Sequence, residues 1–152
     1  MRGRLRSIAL LAVVLAGADL AVAKWIPHNP GFDHHRSLGW VVLSLFVFLF
    51  TALLARVPSR LLALGCGLQA GGTLGNLLWA LTHDRVVSNS FVVRSSEGGV
   101  AFTLGDVFVI LGILVIVVGS IRMTIRHRHR LPESPIAVRL YRRLAVARRR
   151  YS

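Results

Sequence analysis

Four apolar blocks divide the chain, and short polar segments separate them. The first runs from about Ser7 to Ile26 and is interrupted only by Asp19 and Lys24. The second, from about Leu38 to Ala55, holds no charge; the third runs from about Leu61 to Thr82; the fourth, from about Ala101 to Ile121, holds one, Asp106. A helix that crosses a bilayer needs roughly 20 mostly apolar residues, because each adds about 1.5 Å toward an apolar thickness of about 30 Å. The pattern therefore predicts an all-α fold: a four-helix transmembrane bundle over residues 1–126, followed by a basic tail over 127–152. The start, Met1-Arg-Gly-Arg-Leu-Arg6 before an apolar stretch, also fits a secretory signal. Its apolar region is long, however, and no well-placed small-x-small cleavage site precedes a soluble domain, so a retained helix is expected.

Composition alone looks contradictory, with 54% hydrophobic residues beside a formal net charge of +13. Basic soluble proteins that bind nucleic acid are rarely so apolar. The contradiction disappears once the charges are mapped, because they lie outside the apolar blocks. Arg2, Arg4 and Arg6 precede the first span, Arg56 and Arg60 join the second to the third, and ten arginines lie between Arg122 and Arg150. These make up 15 of the 19 Lys and Arg, and only Lys24, Arg36, Arg85 and Arg94 fall on the other side. Positive residues favour the cytoplasmic face. Both termini are thus predicted inside, with Pro27–Ser37 and His83–Val100 outside. The tail, with His127-Arg-His-Arg130 and Arg148-Arg-Arg150, reads as a topology determinant that attracts anionic lipid at about 1 kcal/mol per basic side chain, in preference to a nucleic-acid site. Cys66 is the single cysteine, so no intrachain disulfide framework exists.

Ionisable residues inside spans are costly and raise a functional question by default. Asp19 lies about seven residues before the outer end of the first helix, Asn76 about six before that of the third, and Asp106 about five after the outer start of the fourth. All three sit roughly 8–10 Å below the outer surface at 1.5 Å per residue, so they can meet as a polar cluster open toward the outside. The plainer reading pairs Asp19 with Lys24 locally and leaves Asn76 and Asp106 as interhelical hydrogen-bonding groups, at about 0.6 kcal/mol each. In the third helix Gly67, Gly71 and Gly75 recur every four residues with Gly72 alongside, a spacing that lets a second backbone approach closely. His28, His34 and His35 with Asp33 form a cluster in the first outer loop that a transition metal could use; a short solvated loop is the preferred reading, and neither a metal nor a cofactor is expected.

Gly71-Gly-Thr-Leu-Gly-Asn-Leu-Leu78 resembles the third-helix signature of bacterial signal peptidase II, Gly-Gly-x-x-Gly-Asn-x-x-Asp-Arg. Val86-Val87 follows at the distance of that family's Val-Val-Asp-Phe-like segment. Phe102-Thr-Leu-Gly-Asp106-Val-Phe-Val-Ile-Leu-Gly112 is similar to its Phe-Asn-x-Ala-Asp-x-x-Ile-x-x-Gly. Asp19 with Lys24-Trp25 looks like its Asp-x-x-x-Lys-Trp, with one extra residue between. The resemblance covers all four spans. It implies a multi-pass aspartyl protease of the bacterial cytoplasmic (inner) membrane, in which two aspartates near the outer surface activate water to cleave prolipoprotein signal peptides. Asp106 matches the fourth-helix member of that dyad.

The departures fall on the chemistry. Trp79 stands where the family's third helix carries an Asp, read here as the second dyad member, and Ala80 replaces the Arg that follows it. Thr103 replaces the Asn of the fourth-helix motif, Gly105 its Ala, and Ser88 the Asp of the Val-Val-Asp segment. The first outer loop also leaves little room for the small extracellular sheet and Asn-x-Gly-x-x-Phe motif of the family. Asp84, five residues beyond Trp79, is the remaining candidate partner for Asp106, although it is about 7.5 Å further along the axis; His83 beside it is a possible base. Three functions follow. The favoured one is a signal peptidase II-like protein without aspartyl protease activity that binds a lipid-modified segment, an apolar helix or a partner membrane protein. The others are an active divergent protease using Asp106 with Asp84 or Asp19, and a small transporter or channel subunit lined by Asp19, Asn76 and Asp106.

Overall fold

The architecture is given by a computed structural model that describes residues 2–26, 32–87, 89–95 and 98–128. In chain order it contains α1 (Arg2–Trp25), β1 (His34–His35), α2 (Leu38–Leu54), α3 (Arg60–Thr82), β2 (Val86–Val87), β3 (Phe91–Ser95), β4 (Gly98–Phe102) and α4 (Leu104–His127). Three of the four helices, α1, α3 and α4, are long and apolar enough to cross a membrane. The second block forms a helix of 17 residues, about 26 Å at the usual rise and so at the short limit for a span. The chain divides into two units, Met1–Ser120 and Ile121–Ser152. Within the second, the described residues are the last turns of α4, where His127 Nδ1 lies 3.0 Å from the Met123 carbonyl. The predicted tail from 129 onward lies outside the described residues.

Two element bounds differ from the sequence reading, and each has a local cause. The basic start Arg2–Arg6 is itself helical, so α1 begins before Ser7. The fourth helix begins at Leu104, not Ala101, because Ala101 and Phe102 close an antiparallel hairpin that pairs Phe91 with Phe102 and Ser95 with Gly98. The segment expected as plain loop, His83–Val100, therefore carries most of the strand structure. Its β-branched run Phe91-Val-Val and the Gly98-Gly99 pair are ordinary hairpin composition. The short loop between α1 and α2 contributes β1, which pairs antiparallel with β2 through His34–Val87 and His35–Val86. Arg36 N donates to the Arg85 carbonyl beside it at 2.7 Å. The all-helical description thus holds for the bundle; among the described residues there are two small two-stranded sheets at one end and no sheet barrel.

The central helix is α3, most of whose length is buried. On one side it receives α1, whose buried stripe is Ile8, Ala12, Ala16, Asp19 and Ala23. A methyl group built on Gly67 would lie 2.6 Å from Leu11 Cδ2, and one on Gly71 would lie 2.7 Å from Leu15 Cβ. The contacts climb both helices together, so α1 and α3 run parallel. On the other side α4 presents Gly105, Gly112 and Gly119, all buried and seven residues apart. A methyl on Gly112 would meet the Gln69 backbone nitrogen at 2.5 Å, and Gly119 faces Leu62. These contacts run in opposite order, so α4 is antiparallel to α3. Thr51 of α2 reaches Gln69 at 3.2 Å, and Ala55 joins Ile8 and Cys66 in the apolar core. Arg4 Nη1 donates to the Val57 carbonyl at 2.6 Å, which puts the start of α1 and the α2–α3 turn at the same end, opposite the sheets.

Outside this core the helices are apolar where they are exposed: Phe46, Leu49 and Phe50 on α2, and Ile110, Leu114 and Val118 on α4. An interior of glycine, alanine and a few polar groups inside a shell of large apolar residues is what lipid selects, since lipid tails give no hydrophobic reason to bury leucine. Gly112→Leu is expected to lower stability by about 1–3 kcal/mol through overpacking. Gly17→Leu, at a position with open space around it, is expected to be neutral or mildly stabilising. Unfolding of both variants in detergent, followed by loss of helical signal, checks this pair.

Candidate functional site

The site forms around the first turn of α4. Thr103 precedes the helix and Asp106 is its third residue, a Thr-x-x-Asp arrangement in which each side chain can satisfy the other's backbone. Both bonds are present: Thr103 Oγ1 accepts from Asp106 N at 3.0 Å, and Asp106 Oδ2 accepts from Thr103 N at 3.0 Å. Asn76, buried on α3, closes a ring with this pair. Its Nδ2 donates to Asp106 Oδ1 at 2.9 Å, and its Oδ1 accepts from Thr103 Oγ1 at 2.8 Å. From the other flank Asp19 of α1, only 3% exposed, accepts from Gly105 N at 2.6 Å through Oδ1. That N–H is one of the donors a helix start leaves without an intrahelical partner, and the positive end of the helix dipole favours carboxylates there.

Small residues make room for this arrangement. A methyl on Gly75 would stand 2.5 Å from Asp19 Oδ2, and one on Gly105 would stand 2.8 Å from the same oxygen and 3.1 Å from Asn76 Cγ. Gly72 is equally constrained, since a methyl there would collide with the Gly105 carbonyl. The two carboxyl groups thus approach the same turn of α4 and lie within electrostatic reach of each other. Beside Asp106, which is half-buried, a cavity of about 280 Å³ is lined by Phe102, Asp106, Val107, Ile110 and Leu111. Apart from Asp106 its walls are apolar side chains.

Asp19, Asn76 and Asp106 are therefore gathered at one level of the bundle, as their depths in the sequence predict, and Thr103 joins them through Asn76 and Asp106. Lys24 is not among them. It is exposed while Asp19 is buried and bonded to Gly105, so the local Asp19–Lys24 pair is replaced by an interhelical tie. Asp84 is exposed in the reversal after α3, where it and Arg85 have φ of 50° and 65°. That left-handed region is one an aspartate tolerates better than most residues, and Arg85 N donates there to the Ala80 carbonyl at 2.7 Å. Asp84 makes no hydrogen bond to Asp106 among the described residues. Trp79 stacks on His83 with ring centroids 3.9 Å apart, and His83 Nδ1 lies 3.1 Å from the Trp79 carbonyl. Ser88 and His28 lie outside the described residues. His34 and His35 are in β1, and among the described residues no three His, Cys, Asp or Glu gather as a metal site would need.

Two features escaped the sequence reading. Thr103-x-x-Asp106 has the form of a capping box, a signal open to inspection but obscured by comparing Thr103 with a family asparagine. Asn89, 2% exposed, donates from Nδ2 to the Phe32 carbonyl at 2.5 Å and lies 3.0 Å from His34 Nδ1. It ties the first loop to the segment after β2, and its surroundings, Ser-Asn-Ser, carry only a turn signal.

Thr103→Val is expected to cost about 0.5–2 kcal/mol, the usual effect of losing a helix cap. A double-mutant cycle between Asn76→Ala and Asp106→Ala should return a coupling of about 0.6–1.7 kcal/mol. Both are read from unfolding in detergent, and additive single-variant effects would remove the ring from the account of stability. Compared with models of known protein families, with curated proteins and with solved structures, the chain finds no match.

Proposed function

We propose that this chain is a four-span protein of the bacterial cytoplasmic membrane with both termini inside, built like signal peptidase II. In this reading it binds a lipid-modified or helical membrane partner without aspartyl protease chemistry. The observation that carries the reading is how the two acids are used. Asp106 spends one oxygen on the backbone of Thr103 and the other on Asn76, and Asp19 is bonded to the amide of Gly105. An aspartic dyad needs two carboxyls that share a proton and hold a water between them. Here each carboxyl makes the bonds of a helix cap or an interhelical tie. Trp79, at the position of the family's third-helix acid, is committed to a stack with His83.

The binding half of the proposal rests on the open apolar groove of about 280 Å³ beside Asp106, which is suited to part of an acyl chain. Orientation follows from the arginines. The positive-inside rule sets the start of α1 and the α2–α3 turn, joined through Arg4 and Val57, on the cytoplasmic side. The basic tail would then meet anionic lipid of the same leaflet. A second reading, a divergent endopeptidase using Asp106 with Asp19, draws on the Asp19 carboxylate lying at Gly105, the residue before Asp106, within electrostatic reach of the Asp106 carboxylate.

One reconstitution separates the two. Incubated with a lipid-modified prolipoprotein in vesicles, the protein is expected to retain it through photocrosslinks from the cavity wall at Ile110 and to release no signal peptide. Cleavage by the unaltered chain, abolished by Asp106→Asn or Asp19→Asn, would establish the second reading in place of the first. Orientation has its own check. With Cys66→Ala as background, single cysteines replacing Arg36 and Arg56 should be labelled by an impermeant maleimide in intact cells at Arg36 and not at Arg56.

A further inference from the structure

We infer that the β3–β4 hairpin lies against the membrane, with the face bearing Phe91, Val93, Val100 and Phe102 turned into the lipid boundary. Side chains alternate across a strand, and the register pairs Phe91 with Phe102 and Val93 with Val100 on one face. The two phenylalanine rings stack at 5.6 Å, while Val93 is 61% and Val100 69% exposed. The opposite face carries the pairs Val92–Ala101 and Arg94–Gly99; Val92 and Ala101 are half-buried, and Arg94, the one charged side chain among the described hairpin residues, is exposed. A methyl on Gly99 would lie 3.1 Å from the Phe32 ring, so the first loop already occupies that side. A two-stranded sheet in water packs one face on a core and keeps the other polar. This hairpin has apolar side chains on both faces, and the outward one exposes Val93 and Val100.

Continuity identifies lipid as the occupant. Phe102 lines the same cavity as Val107, Ile110 and Leu111, and from there exposed apolar residues continue down α4 through Leu114 and Val118. The apolar face of the hairpin is thus the upward extension of a surface that belongs to the bilayer. Trp25, 80% exposed at the close of α1 at the same end of the bundle, is a residue type enriched at the membrane–water boundary. Depth is bounded by the backbone. A two-stranded hairpin has two unpaired edges, whose N–H and C=O groups cannot enter hydrocarbon unsatisfied. The hairpin therefore rests at the headgroup level with only its valine and phenylalanine side chains reaching the acyl region. This rests on the membrane placement of the bundle and not on what the bundle binds.

The test uses the full chain with Cys66→Ala, which removes the single native thiol, and one new cysteine at a time: Val93→Cys, Val100→Cys, Arg94→Cys or Ile110→Cys. Each is labelled with an environment-sensitive fluorophore and reconstituted in phosphatidylcholine–phosphatidylglycerol vesicles containing doxyl-labelled lipid. Labels at Val93 and Val100 are expected to be blue-shifted and quenched about twofold more than the label at Arg94, most strongly by doxyl groups near the headgroup. The Ile110 label reports the bilayer itself and should respond to deeper doxyl groups. If Ile110 is quenched while Val93 and Val100 are as wet as Arg94, the hairpin inference is overturned and the membrane placement stands. If Ile110 is also unquenched, both fall. Protection at Val93 and Val100 that vanishes on dilution with lipid would assign the face to a second copy of the chain and overturn the lipid assignment.

Discussion

A helix that begins near the edge of a membrane has to satisfy the backbone donors of its first turn without help from bulk water. The start of α4 meets that demand with side chains from three helices, and the rest of the bundle is arranged to deliver them. Asp19 comes from α1 to the amide of Gly105, Thr103 and Asp106 serve each other across the cap, and Asn76 of α3 fastens both. The glycines at 75 and 105 exist in this scheme as space for a carboxylate. Burying a charge or a dipole in such a place is tolerable only when its bonds are complete, and here the bonds of Asn76, Thr103 and Asp106 form a closed ring.

This arrangement separates what a scaffold needs from what a reaction needs. The glycine and asparagine positions that resemble signal peptidase II are the ones that place α3 against its neighbours. On the proposed likeness to that family, the departures, Trp79 foremost, fall where it would carry its chemistry. An aspartate at 106 is accounted for by the cap and by Asn76 without any catalytic step. Its presence is therefore explained by how α4 is started.

The apolar blocks were legible because the demand for about 20 apolar residues leaves a long record in the chain. The meeting of Asp19, Asn76 and Asp106 was legible because depth along a helix is simple arithmetic. The partner of Asp19 was not. Lys24 is close in sequence, whereas Gly105 is brought in by packing and offers a backbone amide that no side-chain pattern advertises. The hairpin was hidden for a related reason: the 18 residues of mixed character from His83 to Val100 read as loop unless cross-strand pairing is known. Asn89 gains its role from Phe32 and His34, more than fifty residues earlier. The seven-residue recurrence of Gly105, Gly112 and Gly119, by contrast, lay in plain view, but its meaning depended on α3 being the neighbour.

That recurrence has a geometric consequence. A straight α-helix drifts by about 20° for each seven residues relative to a strict heptad. From Gly105 to Gly119 that drift sums to about 40°, which a left-handed coil of α4 about α3, the hand that this period favours, would take up. Coiling turns the glycine seam into a long lever, so the rotation of α4 at Gly119 is linked to the direction in which its first turn points. Distant packing near the opposite end of the bundle thereby helps to aim a carboxylate that it never touches.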